Sequence, residues 1–227
     1  MLLHTKYEIN IKKIMVILLI ILLILIILHV ISMQICFNQD LGIKEKYHLK
    51  YWHLSIFDLD KEESFGTYYN SILLFLAGIL ILFKMNLLNS DELKWKKWWL
   101  VSGYGLCLLS IEEIVGIHEL INTISDIPWT IYVLPVLVIV GIAYIPFICY
   151  YRGKTGYLLM ISALVYFTGA LGVEHLSSTK VNTLQYNMVS TLEEGMEILG
   201  VILLIYTILS DLRARKINCL QIDLEIK

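Results

Sequence analysis

Charge is scarce in this 227-residue chain. Only 17% of residues are Asp, Glu, Lys or Arg, while 58% are hydrophobic and the mean hydropathy is +0.72. Soluble domains carry about 25% charged residues, so an ordinary water-soluble globule is excluded. Proline is rarer still: there are three, and Pro135 and Pro146 fall in an apolar run as tolerated kinks. The four cysteines, Cys36, Cys107, Cys149 and Cys219, form no CxxC pair, which argues against a zinc knuckle or a dithiol redox motif. A net charge of −2 speaks against nucleic acid as a partner. Period-2 alternation is lacking too, which argues against a transmembrane barrel.

What the chain has instead is apolar runs of the length that crosses a bilayer, about 20 residues. Six spans are predicted, at about 14–32, 67–85, 98–120, 129–150, 157–176 and 186–210. The predicted fold is all-α: a polytopic membrane helix bundle, with residues 1–227 forming a single integral domain in the cell membrane. The first run is long for a signal peptide and no A-x-A site follows it, so it reads as a retained helix. An outer loop of about 33–66 is too polar and aromatic to be a span.

Lysine and arginine in the loops orient the bundle. With the N-terminus inside, 13 of the 18 basic residues fall on the inner side, among them Lys12, Lys84, Lys97, Arg152 and Arg215. Both termini are therefore predicted cytoplasmic. Trp95, Trp98, Trp99, Trp129, Tyr150 and Tyr151 sit at predicted borders, as aromatic belts do.

Acids inside spans are the anomaly. The third span carries Glu112, Glu113, His118 and Glu119, the fifth Glu174 and His175, and the sixth Glu193, Glu194 and Glu197. All fall in the outer halves of their helices. Each acid deep in a bilayer costs on the order of 3 kcal/mol, so these should face the bundle interior and find partners. At the helical rotation per residue, Glu193, Glu194 and Glu197 share an arc of about 100°, and Asn187 and Ser190 extend the stripe. Glu112 and Glu119 are nearly eclipsed, with Glu113 to one side and His118 to the other. The expectation is that Glu112 or Glu113 enters the site, with His118 nearer its mouth.

Like charges crowded in low dielectric must be neutralised by protons or a cation. Carboxylates with imidazole suit Zn, Mn or Fe, and carboxylates alone suit Mg, Ca or Mn. The candidate metal ligands are Glu112, Glu113, His118, Glu174, His175, Glu193, Glu194 and Glu197, with Glu113 and Glu194 the candidate catalytic residues. The Glu-x-x-His of helical di-metal sites is not present; Glu113-x4-His118 and Glu174–His175 stand in its place. Interfacial placement equally fits His118, Glu119, Glu174 and His175. Asp58, Asp60, Glu62 and Glu63 read as a solvated loop end, His29 as a lone packed or snorkelling residue, and Asn70 and Ser71 as candidate cavity lining. His48 and His53 have no evident partner.

LSIEEIVGIHE (109–119) with TLEEGMEILG (191–200) resembles an uncharacterised family of bacterial multipass membrane proteins. Its segments are L-S-[LI]-[DE]-E-x-x-x-x-H-E, G-x-x-x-E and E-E-x-x-E-x-x-G. Leu109, Ser110, Ile111, Glu112, Glu113, His118 and Glu119 match the first, and Glu193, Glu194, Glu197 and Gly200 the third. In the second, Glu174 matches, but Ala170 stands where glycine is wanted. The resemblance covers about 100–211 and implies that the three acidic helices belong together, without implying an activity. A similarity to zinc-dependent membrane hydrolases is thematic only, because that pattern needs more histidines than this chain supplies.

Two classes of function fit. One is a divalent-metal-dependent hydrolase acting on a lipid or lipid-linked substrate at the outer leaflet; the other is a proton- or cation-coupled transporter. A non-catalytic immunity, sensor or partner-binding protein, with or without homo-oligomerisation, is a third reading. The inner halves of the acidic spans (LLIYTIL, LLMISALVYF) are nearly all apolar, which argues against a channel through one protomer.

Overall fold

The computed structural model describes residues 2–8, 10–38, 52–124, 127, 129–151, 153–173, 184–215 and 219–225. Among them, six helical segments are long and apolar enough to cross a membrane: Ile11–Ile35, Phe65–Met85, Ser90–Val115, Trp129–Tyr150, Lys154–Gly172 and Met188–Ala214. The helices are α1 (Ile11–Asn38), α2 (Phe65–Met85), α3 (Lys96–Val115), α4 (Ile117–Ile124), α5 (Trp129–Tyr150), α6 (Lys154–Phe167) and α7 (Leu184–Ala214). A π-helical turn, Thr168–Val173, continues α6. Outside the all-α bundle, the chain ends pair as an antiparallel ribbon, β1 (Leu2–Glu8) with β2 (Cys219–Glu225).

Local chemistry explains where the helices depart from the predicted spans. α1 runs on to Asn38, so the first residues of the loop expected from residue 33 are helical. Ser64 caps α2, its Oγ accepting the Thr67 N–H at 3.2 Å. A 3-10 helix, Ser90–Trp95, leads into α3. The third span was expected to continue to residue 120. It stops at Val115 because Gly116 takes the left-handed conformation, φ 63°, which glycine reaches at no steric cost. The chain restarts as α4, and this break takes His118 and Glu119 out of the span.

α7 is the hub. It packs along α1, α2 and α6, while α3 packs along α2. The core joins Leu73, Leu74 and Ala77 of α2 to Ile198, Val201, Ile202 and Ile205 of α7 and Leu22 of α1. Two glycine contacts set the spacing. A Cβ on Gly78 would lie 2.8 Å from the Gly103 carbonyl oxygen of α3, and one on Gly200 2.7 Å from the Tyr166 backbone nitrogen of α6. Gly200→Ala must push α6 away from α7. The expected loss is about 1–3 kcal/mol, read as a lowered unfolding midpoint in detergent. An unchanged midpoint would show that the helices do not approach this closely.

α5 stands apart. Its middle is exposed, and it meets α3 and α4 through its ends: Trp129 against His118, and Tyr144 and Phe147 against Trp98 and Trp99. The bundle thus has two polar ends, one around Glu113 and one around Lys84.

Candidate functional site

At the Glu113 end, α2 and α3 are joined by hydrogen bonds. Asn70 Nδ2 donates to Glu113 Oε1 at 3.0 Å, and Ser71 Oγ donates to the Ser110 carbonyl at 2.8 Å. Asn70 thus touches an acid of the cluster, while Ser71 ties α2 to α3 at Ser110. α7 brings Glu193, Glu194 and Glu197. Glu194 feels the charges of Glu197, Glu113, Glu193 and Asp60, so acids from α3, α7 and the segment before α2 share one electrostatic neighbourhood. The π turn presses on it, since a Cβ on Gly169 would sit 3.1 Å from Glu197 Cγ.

Sequence reasoning missed Tyr166. Read as part of an apolar inner half, it lies within reach of the charges of Glu197, Glu113, Glu112 and Glu194. A tyrosine ending the run LLMISALVY was its one signal: a phenol there needs a polar neighbour.

Glu112 turns the other way, to the mouth. Its Oε1 accepts from His118 Nδ1 at 2.7 Å and from the His118 backbone N–H at 3.2 Å. Glu62 Oε1 approaches His118 Nε2 at 3.7 Å, and the Trp129 ring lies 5.5 Å from the imidazole. Gly116 makes room, because a Cβ there would lie 3.1 Å from Glu62 Cδ. Burial alone would lower the His118 pKa, but the hydrogen bond and charge of Glu112, with Glu62 and Glu113 behind it, raise it from 6.5 to about 9. A raised histidine pKa stabilises the fold fully below 6.5 and loses that contribution as pH climbs through about 9. Wild type should therefore lose thermal stability relative to His118→Gln across that interval. Parallel pH curves for the two proteins would contradict the Glu112–His118 pair.

The segment before α2 is more structured than a solvated loop end. His29 is 1% exposed; its Nδ1 accepts the Leu59 N–H at 3.0 Å, with Asp58 Oδ1 3.4 Å away. His29 is thus not a lone residue: it pins this segment to α1. Asp58 is buried, and Glu62 reaches the mouth. Glu63 and His53 are exposed, whereas His48 lies outside the described residues.

The Lys84 end holds a second polar network. Lys84 is fully buried, its Nζ 2.8 Å from Asp211 Oδ2 of α7, 3.9 Å above the Trp99 ring and 5.1 Å from that of Tyr151. Arg215 bonds Glu92 through both terminal nitrogens, one at 2.6 Å, and Asp211 through Nε at 2.8 Å. Trp99 Nε1 donates to the Tyr151 hydroxyl at 2.8 Å. Sequence reasoning counted Lys84 and Arg215 only as inner-side charge. The Lys84–Asp211 and Arg215–Glu92 pairs link residues more than 120 positions apart, which spacing along the chain cannot reveal.

Of the eight candidate ligands, Glu113, Glu193 and Glu197 act on Glu194 through their charges, while Glu112 and His118 pair with each other. Glu174 and His175 lie outside the described residues, as does the side chain of Glu119. Among the described residues, no three His, Cys, Asp or Glu side chains form a group that could hold a metal ion.

Fold and site together define a bundle of helices able to cross a membrane, with a carboxylate cluster at one end and a locked ion-pair network at the other. The chain belongs to a family described as a domain of unknown function, DUF8692, whose sequence model matches residues 14–212. That match begins within α1, well before the stretch of about 100–211 that carries the motif resemblance. Among curated proteins and solved structures, none matches the chain.

Proposed function

We propose that this is a multi-pass protein of the cell membrane whose Glu113–Glu194 cluster faces outward and binds a divalent cation. Both termini are cytoplasmic in this reading, which the basic residues of the inner loops support. The observation that carries it is the convergence of Glu113 on α3 with Glu193, Glu194 and Glu197 on α7. Acids gathered inside a bundle need a countercharge, and a cation supplies it. The donor set fits: carboxylates from α3 and α7, while His118 is engaged by Glu112 and stands outside it.

The activity proposed is hydrolysis of a lipid or lipid-linked substrate. The cation, when bound, would make its water a nucleophile near neutral pH. Glu113 and Glu194 are the residues to hold it or to take the proton from that water. A fixed site is favoured over a carrier path by the other end of the bundle, where Lys84, Asp211, Arg215 and Glu92 tie α2, the segment before α3, and α7 together.

The test is metal content. Protein purified in detergent after equilibration with a mixture of divalent cations should retain about one ion per chain by mass spectrometry, and Glu113→Gln should retain none. Wild type without any bound divalent cation would overturn the proposal.

A further inference from the structure

Asn70 is 0% exposed, and its Oδ1 has no hydrogen-bond partner. Its position is fixed from the other side, since Nδ2 of the same amide donates to Glu113 Oε1. The orphan oxygen is therefore carried by the same amide that bonds the Glu113 carboxylate. A buried carbonyl left without a donor costs about 1–3 kcal/mol, and a bound water or ion is one arrangement that removes that cost. Ser190 repeats the sign one turn before Glu194 on α7: it is 1% exposed, and its Oγ is also unpartnered.

The orphan group is an oxygen acceptor, and so are the Glu113 carboxylate that its amide bonds and the carboxylates of Glu194 and Glu197, of which Glu194 interacts with both Glu113 and Glu197 through their charges. The one described imidazole nearby, His118, donates its Nδ1 hydrogen to Glu112 and lies against Trp129. We infer that the cluster is an all-oxygen site for a hard, partly hydrated divalent cation of the magnesium class, with Asn70 Oδ1 as one ligand. This deepens the proposed function and rests on its cation reading. It parts from the Zn, Mn or Fe set expected from carboxylate with imidazole. Magnesium takes only one or two carboxylates from a protein and keeps several waters, so Glu113 and Glu194 suffice beside the Asn70 oxygen. Nitrogen and sulfur ligands favour zinc and iron; carboxylate, carbonyl and water favour magnesium.

The experiment is titration calorimetry on the full-length protein in detergent, with magnesium alone and zinc alone. Magnesium should bind wild type and His118→Ala with affinities within about twofold. Asn70→Leu should weaken it by about 10- to 100-fold, the range seen when groups around a metal are removed. Asn70→Asp keeps an oxygen at the position and should bind at least as well as wild type, which separates lost ligation from lost folding. Zinc binding without magnesium binding, loss of binding in His118→Ala, or full affinity in Asn70→Leu would overturn the inference and leave the cation reading standing. Binding of neither metal would remove that reading as well.

Discussion

Asp211→Asn is expected to lower unfolding stability by about 3–5 kcal/mol, the cost of stranding a buried charge. Asp211 is the carboxylate that Lys84 faces inside the bundle, at 2.8 Å, with the faces of Trp99 and Tyr151 on other sides. Cation–π contact offsets part of a buried ammonium's desolvation, on the order of 1–2 kcal/mol, and cannot replace the ion. Asp211 also receives Arg215 Nε and, at 3.3 Å, the Thr155 hydroxyl of α6. One substitution thus loosens α2, α6 and the end of α7 together. The control is Lys84→Met with Asp211→Leu. Removing both charges leaves no unpaired ion and should recover most of the loss, as replacement of buried ion pairs by apolar groups does elsewhere. Equal destabilisation by the single and double variants, followed by reversible unfolding in mixed micelles, would show that Lys84 and Asp211 are not partners.

Glu194→Gln should separate two effects of the cluster. Without divalent cations, wild type holds several like charges near one another, so removing one is expected to raise its stability. With cation at about 100 times its dissociation constant, wild type gains about 2.7 kcal/mol by mass action, and the variant should forgo most of that gain. The rank order of the two midpoints therefore inverts on addition of magnesium. A variant less stable than wild type under both conditions would mean that Glu194 serves the packing of α7 and has no part in binding an ion.

The helices were legible because hydropathy is a local property. α5 was placed at 129–150 and lies at Trp129–Tyr150, since apolar runs bounded by aromatic residues need no knowledge of the rest of the fold. The end of the third span was less legible, because it depends on the left-handed backbone that Gly116 adopts. The direction of individual acids was not legible. Glu112 and Glu113 are adjacent and so diverge by about 100°; one turns to His118 and the other to Asn70. Nor could local pattern foresee that Lys84 is buried, because a lysine at the end of an apolar run usually marks the headgroup border. His29 was read as lone because its partner, the Leu59 N–H, is backbone and 30 residues away. The oxygens of Asn70 and Ser190 were invisible for the same reason: lacking a partner is a property of the packed helices.

Anomalous diffraction from crystals soaked in manganese, which takes the same oxygen ligands as magnesium, tests the central claim most directly. The account predicts one strong peak per chain among Asn70, Glu113 and Glu194, at the distances of about 2.0–2.2 Å typical of small divalent cations and oxygen. A peak at His118, or manganese nowhere within the bundle, would contradict it.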